Sequence, residues 1–276
     1  MLPKGRLFET SGIKIHYLDI GSGIPVLSIH GSRVDHRVMT GCLERVFKSE
    51  KGYRRIYFDM PGMGKSGPPD KIKTADDMLS VILALIDHLI PNEKFLLASQ
   101  SYGGFLAMGL QRARQAAILG TLFVCPMVLP ENKGAQLPPP AVLKKDASFL
   151  AQLNPKDLPA FTHFSVVQTP ATFKRFKNEI LDGWRLHDKH FLDEVHVGRF
   201  TSSPPDADKV FDLPTLVLLG KQDISVGYKD QAELFLQYPR ATVAVLDRAG
   251  HNLQVEQGDV TDALIKEWLQ RVREQQ

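Results

Sequence analysis

Short apolar segments alternate with longer amphipathic segments along most of the 276-residue chain. Alternating apolar and polar positions over residues 13–20 predict a half-buried strand. Nearly continuous apolar segments predict further strands at residues 25–29, 55–58, 95–98, 119–125, 214–219 and 241–246. Apolar residues at helical spacing predict helices at residues 75–89, 102–115, 229–237 and 260–272. This alternation of apolar strands and helices predicts an α/β fold, in which helices flank a mostly parallel central sheet.

The pattern changes between residues 130 and 208. This stretch has no evident strand and contains three consecutive prolines at 138–140. Its large aromatic residues are expected to form a small core of their own: Phe149, Phe161, Phe164, Phe173, Phe176, Trp184 and Phe191. Because one crossover connection needs far fewer residues, we interpret the stretch as a helical cap over the carboxyl edge of the sheet. The predicted organisation is a core of residues 1–129 and 209–276 with a cap of residues 130–208.

Composition and charge argue against several classes of partner. The net charge of +3 is spread along the chain, and the densest basic stretch (Lys174, Arg175 and Lys177) is short, so no nucleic-acid partner is expected. No apolar run is long enough to span a membrane and no signal-peptide pattern is evident, so we expect a soluble cytoplasmic protein. Cys42 and Cys125 lack the spacing of metal ligands, which argues against a disulfide framework or a zinc site.

A candidate nucleophile, Ser101, lies between a predicted strand and a predicted helix. Residues 99–103 read Ser-Gln-Ser-Tyr-Gly, which fits the sharp turn written Gly-x-Ser-x-Gly except that Ser99 replaces the first glycine. The positions two before and two after the nucleophile must be small because the strand and helix backbones crowd there. Ser99 as nucleophile would put Leu97 in one of these positions, so Ser101 is the better candidate.

A serine hydroxyl needs a base to take its proton, and the base needs an acid to orient it. His251 follows the predicted strand at 241–246, and Gly250 is expected to let its loop bend back toward the site. Asp223 follows the predicted strand at 214–219 and is the preferred acid. Asp247 is closer in sequence to His251 but lies at a strand end, and it stays the weaker alternative.

Backbone N–H groups that stabilise a developing oxyanion complete such a site. One is expected from Tyr102, directly after the nucleophile, and the other from Ser32 in the loop after the strand at 25–29. His30 is interpreted as a structural residue that holds this loop. Residues 35–37 (Asp-His-Arg) are interpreted as a local ion pair and a helix start.

Together, five features resemble the capped α/β-hydrolase superfamily in order and spacing. They are Ile-His-Gly-Ser at 29–32, Asp-Met-Pro-Gly-Met-Gly-Lys-Ser at 59–66, the turn at Ser101, Gly-Lys-Gln-Asp ending at Asp223, and Ala-Gly-His ending at His251. The resemblance covers residues 13–129 and 210–273 and is weakest in the cap. It implies an α/β-hydrolase fold and catalysis by Ser101, His251 and Asp223, with no cofactor and no metal.

Residues 62–67 also fit the dinucleotide-binding pattern Gly-x-Gly-x-x-Gly. That pattern must open a helix whose N-terminus binds the pyrophosphate, and Pro68 and Pro69 follow instead. A phosphate-binding loop would need glycine where Asp59 stands. We therefore interpret this segment as a structural turn.

Three hypotheses for function follow. The first is hydrolysis of a carboxylic ester or related acyl bond, in a small-molecule substrate with an apolar acyl or aryl group. The second is hydrolysis of a carbon–carbon bond in aromatic ring-cleavage products, although Val34, Gln100 and Asn252 depart from the pattern of those relatives. The third is a non-catalytic ligand receptor on the same fold. The sequence gives no indication of the oligomeric state.

Overall fold

The computed structural model describes residues 3–67, 71–129, 133–195 and 211–275. The strands of these residues are, in chain order, β1 (Arg6–Thr10), β2 (Ile13–Gly21), β3 (Ile24–Ile29), β4 (Tyr53–Phe58), β5 (Phe95–Gln100), β6 (Ile118–Val124), β7 (Lys144–Lys145), β8 (Val167–Gln168), β9 (Thr215–Gly220) and β10 (Ala241–Leu246). Eight of them form one sheet in the order β1-β2-β4-β3-β5-β6-β9-β10, and β7 pairs with β8 separately.

Helices cover both sides of this sheet and fill the segment between β6 and β9. They are α1 (Arg37–Phe47), α2 (Ala75–Leu89), α3 (Tyr102–Arg114), α4 (Ala147–Leu150), α5 (Leu158–Phe164), α6 (Pro170–Phe176), α7 (Asp182–Trp184), α8 (Lys189–Glu194), α9 (Lys229–Phe235), α10 (Leu253–Glu256) and α11 (Gly258–Arg273). A 3-10 turn at Gln115–Ala117 follows α3, and a π-helical stretch at Lys177–Leu181 joins α6 to α7.

Strand direction confirms the mostly parallel sheet. From β4 through β3, β5, β6, β9 and β10 every neighbouring pair is parallel, whereas β1 and β2 are antiparallel to their neighbours. Every residue of β5 is buried, as expected for a strand covered on both faces. The predicted α/β-hydrolase fold is therefore confirmed, with helices against a large central sheet.

Local sequence explains where the flanking helices begin and how they attach to the sheet. Thr74 caps α2 because its hydroxyl accepts from the Asp77 N–H while the Asp77 carboxylate accepts from the Thr74 N–H. On α11, the indole N–H of the fully buried Trp268 donates to the Pro214 carbonyl at 2.9 Å. The cap thus fixes where α2 begins, and the Trp268 bond attaches α11 to the residue before β9.

Several elements differ from the sequence predictions. Strand β1 has mostly exposed positions, so its alternation carries little apolar signal. Helix α1 is a full helix, where only a start was predicted at residues 35–37. The predicted strand at 119–125 ends at Val124, because Cys125 has a left-handed backbone with φ +43°. The antiparallel β1 and β2 extend the sheet at one edge.

The described residues between β6 and β9 include short helices and the small β7–β8 pair, although no strand was predicted there. Of the seven aromatic residues predicted to form its core, four are in contact: Phe161 and Phe173 have ring centroids 5.1 Å apart, and Phe149 and Phe176 pack beside them. The predicted cap limits, at residues 130 and 208–209, lie outside the described residues.

In the part of the chain that the structure describes, no helix has both the length and the apolar character needed to cross a membrane.

Candidate active site

Loops at the carboxyl ends of the parallel strands bring the candidate residues together. In a parallel sheet these ends meet at one edge, where ligands bind in α/β proteins. Ser32 follows β3, Ser101 follows β5, Asp223 follows β9 and His251 follows β10. The predicted site residues therefore share one edge although up to about 220 positions separate them in sequence.

Ser101 occupies a strained turn between β5 and α3. Its backbone has φ +54° and ψ −122°, a conformation that residues with a Cβ rarely adopt. A Cβ at Gly103 would lie 2.4 Å from the Ile29 carbonyl oxygen, which explains the need for glycine there. The fully buried Ser99 fits at the other crowded position because its hydroxyl donates to the Leu122 carbonyl at 3.2 Å.

A chain of hydrogen bonds links the three predicted side chains. Ser101 Oγ lies 2.9 Å from His251 Nε2, and His251 Nδ1 lies 2.8 Å from Asp223 Oδ2. Because a carboxylate only accepts, Nδ1 carries the proton and Nε2 accepts from the serine hydroxyl. Asp223 is fully buried, and its other oxygen accepts the N–H groups of Ser225 and Val226. These bonds fix the orientation of both the carboxylate and the imidazole.

The alternative acid, Asp247, has different contacts. It is exposed, and its carboxylate accepts from the Gln222 side chain at 2.8 Å. The left-handed residue of the His251 loop is Arg248, at φ +57°, and not Gly250. Glycine is needed at Gly220 instead, since a Cβ there would lie 2.2 Å from the Gly250 carbonyl oxygen.

The loop after β3 lies against the turn at Ser101. A Cβ at Gly31 would lie 3.0 Å from Ser101 Cβ, so the loop backbone runs directly past the serine. Ser32 lines the same cavity as Ser101, and Tyr102 is the first residue of α3. The N–H of a first helical residue has no partner within its helix. Both predicted oxyanion donors therefore belong to backbone segments beside the serine hydroxyl.

His30 holds this loop in place. Its Nδ1 donates to the Gly31 carbonyl at 2.7 Å, and its Nε2 accepts from the Met60 N–H at 2.9 Å. Burial lowers the pKa of this histidine, which favours the neutral ring. These contacts agree with the structural role predicted for His30.

Asp59 organises the turn at residues 59–67 as a buried acceptor of four hydrogen bonds. One carboxylate oxygen accepts from the ring and the N–H of His36, and the other accepts from the ring of His16 and the N–H of Lys65. Burial would raise the pKa of Asp59, but hydrogen bonds from His16 and His36 outweigh it and hold the pKa well below its usual range. A Cβ at Gly64 would lie 2.4 Å from Asp59 Cγ. The glycines of this segment therefore serve a structural turn.

Glu256, at the end of α10, joins the His251 loop to the segment between β6 and β9. One carboxylate oxygen accepts from Val166 N–H at 2.6 Å and Val167 N–H at 3.0 Å, and the other accepts from Gly250 N–H at 2.7 Å. Burial raises the pKa of Glu256 to about 7, although these three donors oppose the shift. One carboxylate thus connects the residue before His251 to β8.

A cavity of about 200 Å³ opens above Ser101. It is lined by Ser32, Arg33, Val34, Val38, Gln100, Ser101, Phe164, Ile180, Trp184, Ser225, His251 and Asn252. A second cavity of about 50 Å³ reaches His251 from the side of Val142, Thr162 and Val166. Phe164 and His251 line both cavities, so the segment between β6 and β9 forms part of the wall around Ser101.

Two groups of described side chains have potential metal-ligand atoms within 4.8 Å of one another. One is His16, His36 and Asp59, in which both ring Nδ1 atoms are hydrogen-bonded to the carboxylate. The other consists of Asp223 and His251 with Cys125, whose thiol donates to the Gly250 carbonyl.

Burial raises the pKa of the Cys125 thiol well above its usual value, and it raises the pKa of the Cys42 thiol to about 12. Both cysteines are free and buried.

Sequence reasoning missed the roles of Asp59 and Glu256. Asp59 stood in a noted segment, but its partners at positions 16 and 36 follow no local pattern. Glu256 bonds only to backbone N–H groups, two of them some 90 residues away. Almost every residue type has a backbone N–H group, so the residues that donate to Glu256 cannot be recognised from their side chains. No sequence signal therefore marked Glu256.

Comparisons with known proteins agree with this architecture. The sequence model of the alpha/beta hydrolase family matches residues 26–264. The AB hydrolase superfamily protein YisY of Bacillus subtilis (strain 168) is 23% identical over 269 residues, which cover 91% of this chain and 93% of that protein. The 2-hydroxymuconate semialdehyde hydrolase of Pseudomonas sp. (strain CF600) is 24% identical, with 96% and 93% covered. An alpha/beta superfamily hydrolase from Oenococcus oeni PSU-1 superposes with a TM-score of 0.89 at 25% identity, with 98% and 100% covered.

Proposed function

This chain belongs to the alpha/beta hydrolase family, and on that premise we propose that it is a serine hydrolase that cleaves a carboxylic ester or a related acyl bond through Ser101. The observation that carries the proposal is the hydrogen-bonded chain from Ser101 through His251 to the buried Asp223. A hydroxyl, a base and an orienting acid in this order are what nucleophilic acyl transfer requires.

The proposed reaction has two stages. Ser101 Oγ attacks the substrate carbonyl carbon while its proton passes to His251 Nε2, and the N–H groups of Ser32 and Tyr102 stabilise the oxyanion. The bond to the alcohol then breaks, and His251 returns the proton to the leaving oxygen. Water next attacks the acyl-serine and gives its proton to His251. The acid departs as Ser101 recovers that proton.

The cavity supports a small-molecule substrate with an apolar acyl or aryl group. Its wall contains the apolar side chains of Val34, Val38, Phe164, Ile180 and Trp184. Burial of apolar surface against such side chains favours an apolar ligand. Three of these residues belong to the segment between β6 and β9, which supports the proposal that residues 130–208 act as a cap on a core of residues 1–129 and 209–276.

A carbon–carbon bond hydrolase is the second candidate. It is favoured by the similarity to a 2-hydroxymuconate semialdehyde hydrolase along most of the chain. Gln100 and Asn252 line the cavity at the positions where the sequence departs from such enzymes. The ester reaction remains our first proposal because it needs no group beyond those already described.

Labelling with a fluorophosphonate probe tests the nucleophile and distinguishes an enzyme from a non-catalytic receptor. We expect the probe to label the wild-type protein and Ser99→Ala, because the Ser99 hydroxyl is buried against the Leu122 carbonyl. Ser101→Ala should not be labelled and should lose at least about 10⁴-fold in kcat for an ester. Labelling that persists in Ser101→Ala, or a wild type that is not labelled, would contradict the proposal.

The bond that is cleaved is tested by a substrate screen. We expect p-nitrophenyl esters to be hydrolysed with a rate that depends on acyl chain length, because the cavity is small and mostly apolar. A ring-cleavage dienoate is measured beside them. Turnover of the dienoate without any ester hydrolysis would favour the second candidate.

A further inference from the structure

Arg33 is the only lysine, arginine, aspartate or glutamate among the described residues that line the cavity above Ser101. The other lining side chains are apolar or uncharged, apart from the titratable ring of His251. Arginine keeps its charge at any physiological pH. Among the described lining residues, the cavity therefore has one permanent charge, and that charge is positive.

The backbone and the contacts of Arg33 hold it at the margin of the cavity beside Trp184. Its φ of +64° is uncommon for any residue except glycine, and such residues cluster at functional sites. Its guanidinium donates to His187 Nε2 at 3.3 Å and to Asp193 at 2.6 Å. The rings of Trp184 and His187 lie 5.6 Å apart, and Trp184 lines the cavity. Arg33 thus lines the cavity, while its guanidinium pairs with His187 and Asp193.

The contacts of Arg33 leave part of its positive charge and some of its N–H donors available to a ligand. Asp193 also accepts from Lys189 at 2.5 Å, so one carboxylate serves two cations. Hydrogen bonds from Lys189 and Arg33 lower the pKa of Asp193 to about 2. His187 Nδ1 donates to the Trp184 carbonyl, and its Nε2 accepts from Arg33. A guanidinium has five N–H donors, and these two contacts use only some of them.

We propose that the substrate of this cavity has a carboxylate on its acyl portion, at the end away from the scissile bond, and that Arg33 binds this carboxylate. The inference rests on the proposed acyl-transfer function and names its substrate class. A planar guanidinium pairs with a carboxylate through two parallel hydrogen bonds, and charge-assisted bonds of this kind are stronger than neutral ones. The apolar wall would contact the chain between the carboxylate and the ester.

The test compares esters that differ only in a terminal carboxylate. The mono-p-nitrophenyl esters of succinate, glutarate and adipate are measured beside the p-nitrophenyl esters of butyrate, valerate and hexanoate. We expect kcat/KM for at least one acid ester to exceed that of its neutral counterpart by about tenfold or more. In Arg33→Gln this ratio should fall to about one or below, whereas Arg33→Lys should retain part of it.

Arg114→Gln is the matched control, because it removes the same kind of side chain from an ion pair with Asp87 that does not line the cavity. It should leave the ratio unchanged. Use of the ratio cancels any general effect of Arg33→Gln on the neighbouring Ser32 N–H. Hydrolysis of neutral esters with no preference for an acid ester of any length, or a preference that survives in Arg33→Gln, would overturn this inference and leave the proposed function intact. Failure of the wild type to hydrolyse any of the six esters would overturn both.

Discussion

At the scale of single residues, two aspartates at neighbouring strand ends show how surroundings decide a role. Asp223 is fully buried, and its carboxylate accepts hydrogen bonds from His251, Ser225 and Val226. Asp247 is exposed and accepts from Gln222. Hydrogen bonds from the Gln222 side chain and from the Arg248 backbone lower the pKa of Asp247, whereas the carboxylate bonded to the imidazole is that of Asp223. Proximity in sequence to His251 is therefore less informative than the strand order.

Asparagine substitutions at these two positions should have very different effects. Asp223→Asn keeps the size of the side chain but presents an amide that favours the wrong imidazole tautomer, so kcat for a p-nitrophenyl ester should fall by about 10⁴-fold. Asp247→Asn should change kcat by less than about twofold, because its contacts lie outside the hydrogen-bonded chain. Steady-state kinetics on both variants checks this. Equal losses in the two variants would contradict the assignment of Asp223 as the orienting acid.

At the scale of secondary-structure elements, one short helix and one short strand depend on each other. Helix α10 ends at Glu256, and its carboxylate accepts N–H groups from β8 and from Gly250. Neither element is long enough to be stable by itself. Their mutual bonds, together with packing, fix the loop of His251 against the wall of the cavity.

Glu256 should make the stability of the protein depend on pH. Burial raises its pKa to about 7 in the folded state, above the ordinary value of about 4.3 in an unfolded chain. A raised carboxyl pKa contributes stability that is fully present below the unfolded pKa and is lost as the pH rises through 7. We expect this group to lower the free energy of unfolding by about 2–3 kcal/mol between pH 5 and pH 8.

Urea unfolding of the wild type and of Glu256→Gln at pH 5 and pH 8 isolates this effect, since the glutamine does not titrate. The difference between the two pH values should be smaller in the variant by about the same 2–3 kcal/mol. Other groups that titrate between pH 5 and pH 8 contribute to both proteins and cancel in the comparison. An identical pH dependence in both proteins would show that Glu256 does not titrate in this range.

Elements with strong apolar periodicity could be predicted from sequence, and those held by distant partners could not. β5 and α2 were predicted because their buried positions are continuous or helically spaced. Helix α1 carries a similar pattern in Val38, Met39, Leu43, Val46 and Phe47 and was recognisable in principle. β7 consists of two exposed lysines, so no apolar pattern marks it in the sequence. It forms a strand only because the fold brings it beside β8.

At the scale of the whole molecule, Arg175 connects the segment between β6 and β9 to helices α1 and α10. Its guanidinium donates to the Glu179 carboxylate, to the Gly41 carbonyl in α1 and to the Gln254 carbonyl in α10. A Cβ at Gly41 would lie 2.3 Å from the Glu179 side chain, so α1 packs closely against the π-helical stretch that contains Glu179. Arg175 thus contacts three separate elements at once.

Removal of this connection should destabilise the protein more than removal of a surface ion pair. Arg175→Met leaves the mostly buried Glu179 without its partner, and we expect a loss of about 3 kcal/mol in the free energy of unfolding. Arg114→Met is the control, because Arg114 pairs with the exposed Asp87 and should cost less than about 1 kcal/mol. Denaturant unfolding measures both, and equal losses would contradict the structural role of Arg175.

Much of the candidate site could be predicted because its residues follow strands whose order is fixed by the fold. Ser101, Asp223 and His251 each stand just beyond a predicted strand, so topology alone brings them to one edge. The cavity wall could not be predicted, because Phe164 and Trp184 look like their neighbouring aromatic residues in sequence. Only the packing of short helices decides which rings turn toward Ser101 and which toward Phe161.

Phe164 is shared by the two cavities that reach His251. Together with His251, its ring lies at the boundary between a larger chamber and a smaller one. Replacement by a smaller side chain would merge the chambers into a longer tunnel, without touching the hydrogen bonds of the serine, the imidazole or the carboxylate. For protein engineering, we therefore expect a substitution at Phe164 to change the length of ligand that the cavity accepts.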